Sequence, residues 1–454
     1  MKKKKLLALI LVFTLMLATA AVLVGCTPAA PAAPAPAAPA AEPAAPAAEA
    51  PAASADDTPA PGDGQTTLRI LAGQSTTDVG IEVMITEAVA ARFPEITLEW
   101  ELVEWGDELN SRMMVYIQTE LPDIIVGKAQ DVTTYGTLDL LADLTGKPYL
   151  DGVLDAANPG VTIDGKLMGL TYNALYQGVY YNRAMFRENG WELPDTLDDL
   201  QAIIDDALAK GITPFASHMM DTWSIGNVTM QFMVNEVFRN TPDWGDRFRA
   251  GQVNYVDDDG ARASYMMNQL IFENTWSAET FSMDQVACDA RMVMGDAAMK
   301  VSGSWSIQNF LDVDPDFDFG IFPFPNRAGD AKLLFEPNIT FMASAASPNM
   351  DAIDKFFSVL AEDKALALEI YDFTKTAPMI EGVTPTFPNP SQSDIDMFAA
   401  QGRILDVNLG NNQLQWGGFQ YENAMDIAEW LLGQITLDEA LEAADGRRAA
   451  SRAT

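Results

Sequence analysis

Three tryptophans stand in loop-like contexts of this 454-residue chain, and their indole rings are suited to holding a small ligand. Trp305 comes shortly after Gly303 at the end of a strand-like run, so a loop could present its ring to a cleft. Trp223 lies in a polar segment before a helical pattern, and Trp416 precedes a pair of glycines that leave room for close approach. A flat indole can stack on the apolar C–H face of a sugar ring, although a place in the core is the alternative for each of them.

The residue types needed for catalysis or metal binding are scarce. The chain has one histidine, His218, and two cysteines, Cys26 and Cys288. A zinc site or a histidine-based catalytic triad needs more such side chains, and we expect His218 to be structural. A secreted glycoside hydrolase, the remote alternative, would need two carboxylates held about 5 to 10 Å apart, and no motif indicates such a pair. The sequence therefore predicts no catalytic residue, no metal and no cofactor.

Residues 1–25 have the pattern of a bacterial lipoprotein signal peptide. Lysines at positions 2 to 5 precede an apolar run over residues 6–24, which ends in Leu23-Val24-Gly25-Cys26. Charge, apolar run and small residues before a cleavage point follow in the order typical of a signal peptide. We expect Cys26 to be lipidated and to tether the protein to the outer face of the cell membrane. A plain transmembrane anchor is the alternative, because the run is nearly long enough to span a bilayer.

Residues 26–64 are predicted to form a linker. After the cysteine this segment consists largely of alanine and proline, and it has too little apolar surface to fold. Prolines favour extended geometry, so the segment could hold a domain up to about 100 Å from the membrane. The full sequence has a formal net charge of −36, and such acidity argues against nucleic acid as a partner.

The hydrophobic pattern from residue 67 onward predicts an α/β fold that would position the candidate ligand residues. Strands are predicted at 68–71, 96–100 and 121–126, with helices at 81–89 and 108–118 between them. Strands and helices in alternation indicate an α/β lobe. Further along the chain, sequences that resemble capping boxes at Thr196 and Thr436 predict two more helices, and residues 298–301 and 319–322 are predicted strands.

Four segments, in the same order along the chain, resemble those of family 1 extracellular solute-binding proteins, the group that includes maltose-binding protein. The segments are Phe93-Pro94-Glu95-Ile96-Thr97-Leu98; Leu121-Pro122-Asp123-Ile124-Ile125-Val126; Asp164-Gly165-Lys166-Leu167-Met168-Gly169-Leu170 with Tyr180-Tyr181-Asn182-Arg183; and Gly295-Asp296-Ala297-Ala298-Met299 through Gly303-Ser304-Trp305. One of these alone would be a weak signal, whereas the ordered set is specific.

The resemblance implies a two-lobed periplasmic-binding-protein-like fold of class II type, in which two α/β lobes joined by crossing strands close over a ligand. The expected ranges are 65–172 for the first part of lobe 1, 173–321 for the first part of lobe 2, 322–374 for a return to lobe 1, and 375–454 for the carboxy-terminal part of lobe 2. The expected crossings lie near 170–176, 322–324 and 374–381.

Polar candidates for the ligand site follow predicted strand ends, where the clefts of α/β folds open. They are Gln74, Gln130, Asp131, Tyr172, Asn173, Tyr176, Glu336 and Asn338. By the resemblance, the residues at 172–176 lie on the first crossing and the residues at 336–338 in a loop of lobe 1. The resemblance also gives Trp305 a ligand-stacking role. Asp123, which begins a predicted strand, is expected to be structural.

The resemblance implies capture of a small-molecule solute, expected to be a mono- or oligosaccharide, and its delivery to the membrane permease of an ABC importer. Alternatives are a non-sugar solute such as a peptide or a polyamine, and a role as the ligand-sensing subunit of a receptor. The expected location is extracytoplasmic, with the lipid on Cys26 as the anchor.

Overall fold

A computed structural model describes residues 65–74, 80–105, 107–407 and 422–448. Contacts divide the chain into Met1–Thr58 and Pro59–Thr454, and every described residue belongs to the second unit. The predicted signal peptide, the linker, Cys26 and Trp416 lie outside the described residues. Within the described ranges, no helix is both long enough and apolar enough to cross a membrane.

The strands are β1 (Thr66–Gln74), β2 (Ile96–Glu104), β3 (Ile124–Gly127), β4 (Thr162–Ile163), β5 (Lys166–Leu167), β6 (Leu170–Thr171), β7 (Asn173–Asn182), β8 (Thr213–Phe215), β9 (Ala297–Gly303), β10 (Phe319–Phe322), β11 (Leu333–Pro337), β12 (Thr340–Ala343), β13 (Ala377–Pro378) and β14 (Ile404–Asp406). The predicted strands all lie within or overlap these elements.

The helices are α1 (Ile81–Arg92), α2 (Asp107–Gln118), α3 (Ala129–Gly136), α4 (Arg183–Asn189), α5 (Leu197–Lys210), α6 (Trp223–Met233), α7 (Trp244–Arg249), α8 (Asp259–Glu273), α9 (Gln285–Val293), α10 (Ser306–Val313), α11 (Met350–Glu362), α12 (Lys364–Thr374), α13 (Gln392–Ala400), α14 (Glu422–Leu431) and α15 (Leu437–Gly446). Short 3₁₀ segments lie at Pro148–Gly152, Asp155–Val161 and Ser277–Ser282, and a π-helical turn at Val234–Phe238 continues α6.

Lobe 1 is built on a five-stranded sheet in the order β2-β1-β3-β12-β6. The strands β1, β2 and β3 run parallel, whereas β12 is antiparallel to β3 and to β6. Aliphatic and aromatic side chains of α1, α11 and α12 pack on one face of this sheet around Ile70, Phe341 and Phe356. The strand–helix–strand alternation predicted from the sequence is therefore confirmed, and it places the carboxyl ends of β1, β2 and β3 at one edge.

Lobe 2 is built on a sheet in the order β14-β11-β7-β9-β8, with β10 and β13 also paired to β7. The ten residues of β7 are almost all buried, because the strand pairs with neighbours on both sides and is covered by helices. The core between this sheet and its helices contains Tyr180, Phe310 and Phe319. A second cluster, around Trp244, Phe248 and Tyr255, packs against buried side chains of α6 and α8.

Local sequence signals that predicted helix ends are confirmed. The hydroxyl of Thr196 accepts a hydrogen bond from the backbone N of Asp199 at 3.1 Å, and the carboxylate of Asp199 accepts from the N of Thr196 at 3.0 Å. Thr436 and Glu439 form the same reciprocal pair at the start of α15. Gly211 ends α5 with a φ of 76°, a left-handed conformation that glycine adopts without strain.

The chain passes between the lobe sheets at three places. Tyr172 connects β6 to β7, residues 338–339 connect β11 to β12, and residues 375–376 precede β13, which pairs with β7. The second crossing was expected near 322–324, and that prediction was wrong. The chain crosses at 338–339, and residues 322–337 stay with lobe 2. Strands β10 and β11 both pair antiparallel with β7, one along each half of it, and the intervening loop leaves and rejoins the same sheet. Pro323 marks the end of β10 but carries no information about which sheet the next strand joins.

Candidate functional site

Trp305 forms an aromatic wall on lobe 2. It lies between β9 and α10, and its ring packs on Gly303, where a Cβ atom would come within 2.2 Å of the indole. Only glycine leaves room for the ring in this position. Trp223 meets Trp305 edge to face, with ring centroids 5.8 Å apart and planes at 81°. Both tryptophans are partly exposed, as the binding hypothesis requires.

A chain of buried polar side chains runs from this wall to the crossing. Gln177, which stands opposite Gly303 in the pairing of β7 with β9, donates a hydrogen bond from Nε2 to the carboxylate of Glu336. Its Oε1 accepts from Asn227 Nδ2 at 2.7 Å, and Asn227 Oδ1 accepts from Gln231 Nε2 at 2.9 Å. Each side chain holds the next, so the carboxylate of Glu336, only 5% exposed, has a fixed orientation.

Lobe 1 reaches Glu336 through Lys128. The ammonium of Lys128, in the residue after β3, lies 3.9 Å from Glu336 Oε1 on β11. The same Nζ lies 5.6 Å from the ring centroid of Trp105, a cation–π distance. Trp105 follows β2 and packs on Gly73 of β1, where a Cβ atom would come within 2.2 Å of its ring. We call Lys128, Glu336 and Gln177 the interlobe seam.

Tyr172 and Asn173 do not face a ligand space, contrary to the sequence-based expectation. Tyr172 is fully buried in the core of lobe 1, against Phe341 and Tyr371. Asn173 is also fully buried, and its side chain connects the crossings: Oδ1 accepts from Ile339 N at 2.9 Å, and Nδ2 donates to Thr376 Oγ1 at 3.0 Å. The prediction located the first crossing correctly, but a polar side chain at a crossing can serve the hinge as well as a ligand.

The remaining polar candidates divide between the seam and local structure. Glu336 belongs to β11 of lobe 2 rather than to a lobe-1 loop, and Asn338 lies on the second crossing, where its N donates to Asn173 O at 2.9 Å. Tyr176, partly exposed, lies on β7 against Phe335, with ring centroids 5.6 Å apart. Asp131 Oδ2 accepts from Lys128 N at 2.7 Å, which caps α3, and burial raises the pKa of this carboxyl.

Gln74 lies at the end of β1 and Gln130 within α3, and their side chains lie outside the described part of the structure. Asp123 is structural, as expected: it accepts hydrogen bonds from Arg69 N at 2.9 Å and from Asn349 Nδ2 at 3.1 Å. The carboxylate of Asp123, just before β3, thus accepts hydrogen bonds from backbone and side-chain donors of lobe 1.

His218 lies behind the aromatic wall, with its ring centroid 5.1 Å from that of Trp223. Burial, with a further contribution from the nearby Lys300 ammonium, holds the pKa of His218 well below its usual value near 6.5, so the ring is neutral. Lys300 is itself fully buried and paired with Asp289. Among the described residues, no three His, Cys, Asp or Glu side chains gather as a metal site would require.

A cavity of about 520 Å³ lies in lobe 1 away from the seam. It lies at the amino-terminal ends of β1 and β3, and its lining includes Arg69, Asp123, Tyr116 of α2 and exposed acidic side chains. The ring of Tyr116 is covered by the Arg69 guanidinium, 6.0 Å from the ring centroid. Ligands of α/β folds bind at the opposite, carboxyl-terminal ends of the strands, so we place the candidate site at the seam.

Comparison with known proteins identifies the family. The family model described as bacterial extracellular solute-binding protein matches residues 86–399. The chain belongs to this family. The expected class, an extracytoplasmic solute-binding protein rather than an enzyme, is thereby confirmed.

Relatives of this solute-binding protein agree with that assignment. It is 22% identical over 297 residues to the "Multiple sugar-binding protein" of Streptococcus mutans, which covers 63% of this chain and 69% of that protein. A binding protein of Bacillus subtilis in an open conformation superposes with a TM-score of 0.74 at 17% identity, covering 86% of this chain and 98% of that one. A sugar transporter of Bacillus licheniformis in complex with stachyose gives 0.70 at 15% identity, covering 85% and 100%. These structures confirm the two-lobed α/β fold.

Three residues of the solute-binding protein's seam region were missed in the sequence: Trp105, Lys128 and Gln177. Trp105 comes directly after β2, and Gln74 is the last residue of β1, so the strand-end rule applied to the second strand would have found Trp105. Lys128 was missed because lysine was not among the side-chain types expected to contact a sugar. Gln177 lies inside a strand, and no local signal separates it from an ordinary buried amide.

Proposed function

We propose that this solute-binding protein captures a mono- or oligosaccharide by closure of its lobes and delivers it to the permease of an ABC importer. The observation that carries the proposal is the link between a partly exposed indole and an oriented carboxylate on the same lobe: Trp305 packs on Gly303, Gly303 pairs with Gln177, and Gln177 donates to Glu336. A sugar ring offers an apolar face to the first and hydroxyl groups to the second. Trp223, Tyr176 and Trp416 are proposed as further members of this site.

The charges of the seam favour a neutral ligand over the alternatives. A polyamine at Glu336 would meet the Lys128 ammonium 3.9 Å away, and an anionic ligand at Lys128 would meet the carboxylate. The pair places an ammonium and a carboxylate side by side without net charge, which suits a neutral ligand with hydroxyl groups. The names of the multiple sugar-binding protein and the stachyose complex point in the same direction.

The ligand class is tested by thermal shift followed by calorimetry on the purified protein. The probes are raffinose, stachyose, maltotriose and diacetylchitobiose, with spermidine and a tripeptide as non-sugar probes. A ligand at 100 times its dissociation constant stabilises the folded state by about 2.7 kcal/mol, which a melting curve resolves. At least one sugar is expected to raise the melting temperature. A shift with spermidine or the tripeptide, and with no sugar, would overturn the sugar assignment.

The position of the site is tested by Trp305→Ala, with Trp276→Ala as the control. Trp276 is a partly buried lobe-2 tryptophan whose ring carries the Arg291 guanidinium 3.9 Å from its centroid. We expect Trp305→Ala to weaken sugar binding at least about tenfold, because a Trp anchor contributes about 2 kcal/mol or more to binding and tenfold corresponds to about 1.4 kcal/mol. Trp276→Ala should bind like the wild type. Equal affinities of Trp305→Ala and wild type would place the ligand elsewhere.

We further propose that a lipid on Cys26 anchors the protein and that residues 27–64 are the spacer. The Leu23-Val24-Gly25-Cys26 sequence after a basic and apolar segment supports this. Labelling of the expressed full chain with a radioactive or alkyne fatty acid should be lost in Cys26→Ser and kept in Cys288→Ser, since Cys288 is buried. Labelling that persists in Cys26→Ser would contradict the anchor.

A further inference from the structure

Asp289 on α9 and Lys300 on β9 form a charged pair in the interior of lobe 2. Their side chains are 0% and 1% exposed. Burial acts to lower the pKa of Lys300, but the negative charge of Asp289 outweighs it and the pKa is raised, so the side chain is an ammonium ion. Such a pair adds little stability, because the cost of removing two charges from water can exceed their attraction. Its presence therefore calls for a role other than stability.

The carboxylate of Asp289 is shared between its cation and the helix that follows Trp305. Oδ1 accepts a hydrogen bond from the Lys300 ammonium. Oδ2 accepts from Asn309 Nδ2 of α10 at 2.8 Å and from Gln285 Nε2 at 3.3 Å. A hydrogen bond to a charged acceptor is stronger than one between neutral groups. Lys300 balances the charge that makes this acceptor strong, so the pair holds α10 through Asn309.

Asn309 follows Trp305 by four residues, and Trp305 stands directly before the first residue of α10. Residues four apart in a helix lie on the same side, one turn from each other. One residue after the tryptophan, Ser306 Oγ bonds to Ser302 Oγ of β9 at 2.8 Å. The first turn of α10 is therefore held at two points, to β9 by Ser306 and to α9 by Asn309.

The place of the Trp305 ring depends on how α10 is held. Among the described residues, its indole N–H finds no hydrogen-bond acceptor. The ring packs on Gly303 and meets Trp223 edge to face, with centroids 5.8 Å apart. Both contacts require the backbone of Trp305 to hold the ring in one place, and that backbone leads straight into α10.

Trp223 is held in the same way. It begins α6, and Asn227, four residues later, donates from Nδ2 to Gln177 Oε1 at 2.7 Å. Gln231, a further turn along α6, donates from Nε2 to Ser302 O at 3.1 Å. Ser302 thus ties both tryptophan-bearing helices to β9, since its hydroxyl bonds to α10. Buried polar side chains therefore set the angle of 81° between the two indoles.

We propose that Asp289 and Asn309 are positioning residues of the ligand site, which keep Trp305 in place by fixing α10. The inference rests on the proposed function and deepens it, because it names what orders the aromatic wall before a ligand arrives. Lys300 acts through Asp289 by balancing its charge. A side chain that is already ordered costs less on binding than one that the ligand must order.

The first test is the double variant Lys300→Met with Asp289→Val. Replacing a buried ion pair by apolar side chains of comparable volume is often neutral or stabilising, so we expect a melting temperature at or above that of the wild type. Asn309 loses its acceptor, however. Calorimetry with a sugar of the panel that binds the wild type should show affinity lower by about threefold to tenfold, because ordering one loosened side chain costs about that much. A pair that served only stability would leave affinity unchanged.

The second variant, Asn309→Leu, removes the donor and keeps the pair, so it decides the question even where the double variant does not fold. We expect the same loss of affinity, and Asn309→Gln, which keeps an amide, should bind more tightly than Asn309→Leu. The matched control is Asn349→Leu. Asn349 is also a partly buried amide beside a helix start, and it donates to Asp123 Oδ1 at 3.1 Å, but in lobe 1. This control should bind like the wild type.

Near-UV circular dichroism follows the position of the ring without any sugar. Aromatic side chains contribute to this signal when tertiary packing fixes them. The part of the spectrum that Trp305→Ala removes measures the fixed indole. We expect that part to be diminished in the double variant and in Asn309→Leu, and to be intact in Asn349→Leu.

The outcomes separate the inference from the proposed function. If no sugar of the panel binds the wild type, the proposed function fails, and the dichroism alone decides whether Asp289 and Asn309 position Trp305. If Trp305→Ala loses sugar binding but Asn309→Leu keeps wild-type affinity, the function stands and the inference is overturned. An unchanged spectrum in Asn309→Leu overturns it as well. Weaker binding and a diminished spectrum at unchanged melting temperature, with Asn349→Leu like the wild type, support it.

Discussion

Ile339 and Asn173 lie on different interlobe crossings and are joined by a hydrogen bond of 2.9 Å from the backbone N of Ile339 to Asn173 Oδ1. The amide of the same asparagine donates to Thr376 Oγ1 at 3.0 Å, at the third crossing. Its backbone O accepts from Asn338 N at 2.9 Å. One fully buried side chain thus connects all the crossings, so the hinge strands are held in register while the lobes are left to move about them.

Replacing Asn173 by alanine is predicted to destabilise the protein. The substitution leaves the N of Ile339 and the hydroxyl of Thr376 without this partner in a buried region. Each unsatisfied buried group costs about 1 to 3 kcal/mol, so we expect the free energy of unfolding to fall by about 2 to 4 kcal/mol. Urea denaturation measures this, with Asn158→Ala as the control. Asn158 is partly exposed, and its side chain donates to Asp155 Oδ1 at the protein surface, so a change within about 0.5 kcal/mol is expected there. Equal stabilities of the two variants would contradict a hinge role.

Features set by neighbours in sequence were predictable. The buried strand predicted at 121–126 and the capping boxes at Thr196 and Thr436 depend on residues within a few positions of each other. The structure has both capping boxes as predicted and a buried strand at Ile124–Gly127 that overlaps the predicted one. The order of family segments similarly fixed the fold class. These elements are determined by hydrogen-bonding groups and apolar side chains that lie only a few residues apart in the sequence.

Features set by pairing across the chain were not predictable. Glu336 was selected as a ligand residue from its place beside Pro337, yet its partners Lys128 and Gln177 are brought to it only by the sheet of lobe 2 and the second crossing. The same missing information placed that crossing near 322 instead of at 338–339. Tyr172 shows the converse, because its position on a crossing was right while its ring faces the core of lobe 1.

Breaking the buried ion pair of lobe 2 is predicted to be costly. Lys300 and Asp289 have side chains 1% and 0% exposed, and Lys300→Met would leave the carboxylate buried without its cation. Loss of one partner from such a pair costs about 3 to 5 kcal/mol. The exposed pair of Lys210 and Asp206 is the control, and Lys210→Met should change the free energy of unfolding by less than about 1 kcal/mol. A Lys300→Met protein as stable as Lys210→Met would disprove this assignment of the pair.

The neutral state of His218 predicts a pH dependence of stability. Its pKa is depressed well below 6.5 in the folded protein, chiefly by burial, whereas in the unfolded chain it is close to 6.5. Below pH 6.5 the unfolded state therefore binds a proton that the folded state does not, and stability is lost as the pH falls. The loss approaches about 1.4 kcal/mol per pH unit, and stability is unaffected by this group above pH 7.

Carboxylates such as Asp199 and Glu439, whose pKa values are lowered by hydrogen bonds, also make the folded protein less stable in acid. The contribution of His218 is therefore isolated by comparing the wild type with His218→Gln at each pH. The difference in free energy of unfolding between the two proteins should shift against the wild type as the pH drops from 6.5 to 5. A difference that stays constant over this range would show that the imidazole is protonated in both states or in neither.

The glycine under Trp305 is predicted to control ligand affinity more than stability. In Gly303→Ala the new methyl group would lie 2.2 Å from the indole, so the ring must move from its present place. A displaced ring no longer presents the same face to the ligand, and we expect sugar affinity to fall at least about tenfold, comparable to the loss of the Trp anchor. The matched control is Gly446→Ala, since a Cβ atom at Gly446 meets no heavy atom within 4 Å. Calorimetry with a sugar that binds the wild type is the measurement, and a melting curve of each variant without sugar reports stability. Wild-type affinity in Gly303→Ala would mean that the ring of Trp305 is not what the ligand contacts.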